Sequence, residues 1–113
     1  MWKICIEEPF MNCEKIYPIQ QKKVKQLLDI IAKNEYVNKI IIFGSSVTDR
    51  CHIGSDIDIY VELDKEVKGL IDDAVYFVYD LWTNFMVDNR LLNEIERKGV
   101  IVYDRDFINK SKT

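Results

Sequence analysis

The feature that most limits the folds open to this chain is Lys39-Ile40-Ile41-Ile42-Phe43, an apolar, β-branched run that stops at Gly44-Ser45-Ser46. Side chains alternate between the two faces of a strand. A run without polar alternation therefore needs cover on both faces, which places it inside a sheet. Residues 56–63, Asp-Ile-Asp-Ile-Tyr-Val-Glu-Leu, read as a second strand with period two. Ala74 to Trp82 reads as a third, rich in aromatic and β-branched residues, and Val100 to Tyr103 as a short closing strand. Pro18 suits a first helical turn, where its missing N–H is not needed. Val24, Leu27, Leu28 and Ile31 then fall at i, i+3, i+4 and i+7, predicting an amphipathic helix that ends near Asn34. A second helix is predicted over 88–98, with Leu91, Leu92 and Ile95 on one stripe and Gly99 as its cap. Trp2, Ile4 and Ile6 alternate as a short edge strand would, until Pro9 and Asn12 break the pattern. The order helix–strand–strand–strand–helix–strand predicts an α/β (α+β) fold, a small mixed β-sheet flanked by helices.

With 113 residues the chain is read as one domain over 1–113, with a motif-bearing core at about 18–104 and a tail at 105–113. The hydrophobic fraction of 48 % suffices for a packed core without disulfides or a structural metal. A formal net charge of −3 argues against a protein whose main task is gripping nucleic-acid phosphates, so no bulk nucleic-acid binding is expected. Cys5, Cys13 and Cys51 form neither a paired framework nor a Cys-x-x-Cys signature, which fits a reducing compartment. No apolar run is long enough to span a bilayer, and Glu7-Glu8 turn the N-terminus acidic too soon for a secretory signal. The expectation is a cytoplasmic protein with no membrane partner.

The chemistry is concentrated between Phe43 and Ile59. Asp56 and Asp58 are two apart on a predicted strand, so both carboxylates leave the same face. Such a pair repels itself unless a cation lies between, and Mg²⁺ prefers oxygen ligands of this kind, completing its shell with water and phosphate oxygens. Upstream, Gly44-Ser45 falls where a buried strand ends and a short helix is expected to begin. Glycine permits close backbone approach to a ligand, helix-start N–H groups favour phosphate, and Ser45 adds a hydroxyl. Either element alone is commonplace: a solvated strand face, or a simple turn. Together they supply phosphate donors and metal-binding carboxylates to one site.

The combination resembles the DNA polymerase beta-like nucleotidyltransferases, especially their minimal, stand-alone members. In that family an apolar strand leads into Gly-Ser, and a spacer precedes Asp-x-Asp; here the spacer runs from Ser46 to Ser55, and Ser55-Asp56-Ile57-Asp58-Ile59 is similar to the family's Ser-Asp-Ile-Asp-Leu. The likeness covers roughly residues 20–104, and Ile95-Glu96-Arg97-Lys98-Gly99-Val100-Ile101-Val102-Tyr103 is similar to the family's end. It implies a third carboxylate on the next strand, for which Asp80 is the best match and Asp73 and Asp88 are rivals. It also implies metal binding and catalysis by Asp56, Asp58 and Asp80, and nucleotide contacts from Gly44, Ser45 and Ser55. Arg50 either reaches the triphosphate or is a solvated surface arginine. Thr48-Asp49-Arg50 departs from the Ala-Arg-Gly of many minimal members. His52 is given no role. The aromatic residues Tyr76, Phe77, Tyr79, Trp82 and Phe85 are read as core, with Tyr79 and Trp82 also close enough in sequence to Asp80 to touch a base.

The resemblance implies a metal-dependent transfer of a nucleoside monophosphate from a nucleoside triphosphate, taken as ATP, to an acceptor hydroxyl, with two Mg²⁺ ions as cofactors. Minimal members are often paired with a small helical protein of the HEPN type, so the implied acceptor is a partner protein and the implied role is the antitoxin of a toxin–antitoxin pair. The rival readings are a non-catalytic antitoxin with a vestigial site, and a small-molecule (aminoglycoside-like) nucleotidyltransferase acting as a homodimer.

Overall fold

The computed structural model describes residues 4–71 and 75–107. Its central sheet has four strands in the order β3-β2-β1-β4, where β1 is Val37–Phe43, β2 Ile57–Leu63, β3 Tyr79–Thr83 and β4 Val100–Asp104. β1 is antiparallel to both its neighbours, β2 and β4, while β2 and β3 are parallel. The sheet is therefore mixed, as the element order implied. The isoleucine run occupies an inner strand, flanked on both sides.

Strand alternation divides the core into two layers. Ile40, Ile42, Ile57, Ile59 and Val61 point to one face and pack with Val24, Leu27, Leu28 and Ile31 of helix α1, Gln21–Ile31. Each of these four helix side chains is buried, and burial of such a side chain is worth roughly 1.5–3 kcal/mol against exposure. Ile41 and Tyr60 point to the other face, where helix α2, Asn89–Lys98, lays down Ile95 with Leu91 and Leu92 beside it. Asp88 caps α2 by accepting a hydrogen bond from the Leu91 N–H at 2.8 Å. Gly99 closes it, as the sequence implied, donating its N–H to the Ile95 carbonyl at 2.8 Å.

Several boundaries differ from the sequence reading. The helix predicted from Pro18 begins as a 3₁₀ turn, Pro18–Gln20, and its α-helical part stops at Ile31. Ile4 and Ile6 lie in no strand, and Trp2 falls outside the described residues. The third strand starts at Tyr79; Ala74 lies outside the described residues, and Val75 to Val78 are irregular. The parallel register explains this. Tyr79 is opposite Ile57, the first residue of β2, so residues before Val78 have no strand beside them. Tyr76 and Phe85, read as core, are exposed for the same kind of reason: both lie beyond the ends of β3. Phe77 and Tyr79 pack against the α1-side core and Trp82 against the α2-side cluster.

Candidate nucleotidyl-transfer site

Two ladders converge where β1 ends. The antiparallel register pairs Phe43 with Asp58, and the parallel register pairs Asp58 with Asp80. Partners in a ladder share a face, so Asp58 and Asp80 stand side by side on the α2 side of the sheet. Asp56 precedes β2 by one residue and lies near enough for its charge to act on Asp58. Burial holds the Asp58 carboxyl above its ordinary value, reinforced by the charge of Asp80, a hydrogen bond with it, and the charge of Asp56. Asp80 is exposed on the edge strand, whereas Asp58 is half-buried.

Gly44 is held to glycine by two separate constraints. Its φ of +75° lies in the left-handed region. A Cβ added there would also collide with the Asp58 carboxylate, with Cγ 3.1 Å away. The backbone after β1 thus touches the carboxylate group directly. The following turn, Gly44–Val47, is a single 3₁₀ turn rather than the start of a helix. It offers backbone N–H groups at close range, not a helix dipole. The Thr48 hydroxyl donates to the Ser45 carbonyl at 3.1 Å and accepts from the Arg50 N–H at 3.2 Å, fixing the turn's exit.

The expected nucleotide residues are distributed over two hollows. Gly44, Ser45 and Arg50 line a cavity of about 700 Å³ together with Phe43, Leu91 and Lys98. Ser55 and Asp56 line a smaller hollow of about 230 Å³ with Lys23, Tyr76, Phe77 and Val78. The Ser55 hydroxyl is engaged within its own loop, accepting from the His52 N–H at 3.0 Å and lying against the Cys51 thiol. Tyr60 shares the face of Asp58 but is buried, and its hydroxyl is pushed up to about 12, by burial first and then by Glu62 and Glu96. It serves packing, not proton transfer. Of the rivals for the third carboxylate, Asp88 is the α2 cap and Asp73 lies outside the described residues.

The donor set suits a hard divalent cation. Burial first, and then the neighbouring carboxylates of Asp80 and Asp56, hold the Asp58 carboxyl above its ordinary value, and a cation among them would relieve the repulsion. Among the described residues no three acidic, histidine or cysteine groups close into a ready-made metal cage. Mg²⁺ does not need one, because it shares its shell with phosphate oxygens and water.

One buried residue linking the two hollows was not singled out from the sequence. Gln20 lies on the α1 stripe, four residues before Val24, and its side chain bonds both site loops. A polar residue on an otherwise apolar stripe was the available signal.

A sheet with this order carries a Gly-Ser turn against a strand carboxylate and a second carboxylate in register beside it. The chain belongs to the nucleotidyltransferase domain family, within the polymerase beta-like superfamily: the model of that family matches residues 24–112. Members of the family generally use a nucleoside triphosphate and a divalent metal. No curated protein matches the chain. No helix among the described residues is long and apolar enough to cross a membrane.

Proposed function

We propose that this protein transfers a nucleoside monophosphate from Mg²⁺-bound nucleoside triphosphate, ATP in the first instance, to an acceptor hydroxyl, releasing pyrophosphate. The observation that carries the reading is the contact of Gly44 with Asp58 and the pairing of Asp58 with Asp80. Asp56, Asp58 and Asp80 would hold the cation. Bound there, it would stabilise charge on the phosphoryl oxygens and on the leaving pyrophosphate. Gly44 and Ser45 would offer N–H groups to the β- and γ-phosphates, with Arg50 lining the same cavity. Asp80, exposed at the sheet edge, is the carboxylate an acceptor can reach, and it takes the hydroxyl proton. Ser55 serves by closing the 52–55 turn that delivers Asp56. Most of the rate derives from positioning and charge stabilisation.

The acceptor in this reading is a protein: a small helical partner of the HEPN type, with the chain acting as the antitoxin of the pair. A surface patch supports an acceptor of that size. Ile53 is 86 % exposed, Tyr76 76 % and Val78 63 %, all beside Asp56. The test is label transfer. The protein is incubated with Mg²⁺, nucleoside triphosphates labelled at the α-phosphate and an extract of the source cell, beside an Asp56→Asn/Asp58→Asn control. A labelled protein band absent from the control is the expected result. Label on a small molecule would move the acceptor to that class, and no label with folded protein would leave a binding-only antitoxin.

A further inference from the structure

We propose that Gln20 is a positioning residue for the nucleotide: it sets the separation between the Gly44-Ser45 turn and the loop that carries Asp56, and touches neither substrate nor cation itself. The proposal rests on the nucleotidyl-transfer reading of the site. Gln20 sits where the 3₁₀ turn Pro18–Gln20 enters α1, with its side chain fully buried. Its Nε2 donates to Ser46 Oγ at 3.3 Å, two residues after Gly44, and to the Ser55 carbonyl at 3.0 Å, one residue before Asp56. The Tyr17 N–H adds a further tie, donating to the Ser46 carbonyl at 2.8 Å. One side chain thus bonds both loops.

The amide's orientation follows from its partners. A carbonyl only accepts, so the NH₂ end must face Ser55, and Oε1 is left buried with no donor. A buried acceptor without a partner is a standing cost. The position belongs to the Val24, Leu27 and Ile31 stripe, where an apolar side chain would remove that cost. Packing alone therefore does not explain a glutamine here. What an apolar side chain could not do is bond two separate loops and hold them at one distance. Phosphate donors on the first loop and a carboxylate on the second must both meet one triphosphate, so that distance is a requirement of the chemistry.

Gln21 supplies an internal control. It too is buried, with its own Oε1 unpartnered, but its Nε2 donates to the Cys13 and Ile16 carbonyls at 3.2 and 3.0 Å. It therefore ties only the segment before α1. The experiment compares the full chain with Gln20→Met and Gln21→Met. Binding of Mg²⁺ with inorganic tripolyphosphate is read by calorimetry, a probe that does not depend on the base. Hydrogen exchange of segments 44–48 and 52–58 is read on the same samples. Both variants are expected to lower the melting temperature to a similar degree. Only Gln20→Met should weaken tripolyphosphate binding, by about tenfold, the scale on which outer-shell partners act. It alone should speed exchange in both segments together. Equal weakening in the two variants, or none in Gln20→Met, would overturn the proposal and make Gln20 an ordinary buried amide. If wild-type protein bound no tripolyphosphate, the nucleotidyl-transfer reading would fail first, and Gln20's role with it; unchanged affinity in Gln20→Met against a binding wild type defeats the Gln20 proposal alone. Should Gln20→Met not fold, Ser46→Ala removes only the hydroxyl end of the link and carries the same readouts.

Discussion

Asp58 and Asp80 are direct partners in the parallel β2–β3 ladder, their carboxyl groups on one face of the sheet. Two acids so placed disfavour their own ionisation, which ties stability to function at one point of the sheet. The sign is definite. The Asp58 carboxyl is held above its ordinary value, by burial first and by Asp80 next, so the folded chain keeps a proton that the unfolded chain releases. Stability from this group is complete below the unfolded value and is lost as pH rises through the folded one. In the absence of divalent cations, Asp58→Asn should therefore melt a few degrees higher than wild type at pH 7. The gap should close as pH falls toward 4. Differential scanning calorimetry across that range checks it, and a variant less stable at pH 7 would contradict the account.

The same pair governs the response to metal. A ligand that binds only the native state raises its stability by RT ln(1 + [L]/Kd), about 1.4 kcal/mol at ten times Kd. Mg²⁺ with nucleotide should raise the melting temperature of wild type by several degrees, the shift such an energy produces in a domain of this size. Asp58→Asn and Asp80→Asn should abolish the shift. Retention of the full shift in both would place the cation elsewhere.

Gly44 and Gly69 share a left-handed φ, +75° and +72°, in different surroundings. Nothing lies within 4 Å of a Cβ added at Gly69, whereas one at Gly44 meets the Asp58 carboxylate. Gly69→Ala should cost only the backbone penalty, roughly 1–2 kcal/mol. Gly44→Ala should cost more, because the carboxylate must also move, and it should weaken nucleotide binding where Gly69→Ala leaves it unchanged. Chemical denaturation of the two variants measures the difference directly.

How much of this was legible beforehand varies by physical cause. The isoleucine run could be placed inside the sheet because uniform burial leaves an unmistakable pattern, and Asp56 and Asp58 could be paired because alternation is local. The register of Asp80 against Asp58 was not local: it depends on a crossover of residues 64–78, and several acids competed for the position. The start of β3 was read too early because aromatic and β-branched residues at 75–78 look like strand, yet β2 begins too late to pair with them. Gln20 escaped notice because its partners, Ser46 and Ser55, lie 26 and 35 residues away.

Asp88 and Asp80 allow a structural carboxylate to be told from the one proposed to be catalytic. Asp88 caps α2, and its replacement by Ala should cost about 1 kcal/mol, the usual value of such a cap, with label transfer retained. Asp80→Asn should change stability little and reduce label transfer by about 10²–10⁴, the range for loss of a general base. Urea titration together with single-turnover transfer distinguishes the two. If Asp88→Ala lost transfer while still folded, the third carboxylate would have been assigned to the wrong strand end.

The exposed patch makes the last prediction, and it concerns the acceptor alone. Ile53, Tyr76 and Val78 are largely solvent-exposed, so replacing Ile53 and Tyr76 by Ser removes little buried surface and should shift stability by less than about 0.5 kcal/mol per site. Neither residue contacts the Gly44-Ser45 cavity, so affinity for Mg²⁺ and nucleotide should be unchanged. A protein acceptor reaching Asp80 from the sheet edge would cross this patch beside Asp56 and bury it. Label transfer to protein should then fall by about tenfold or more, as truncating aromatic anchors at interfaces commonly does. The informative comparison is between nucleotide affinity and transfer on one sample. A fall in both would make the patch part of the nucleotide site. Unchanged transfer would send the acceptor to another face, leaving the larger cavity by Arg50 and Lys98 as its place of approach.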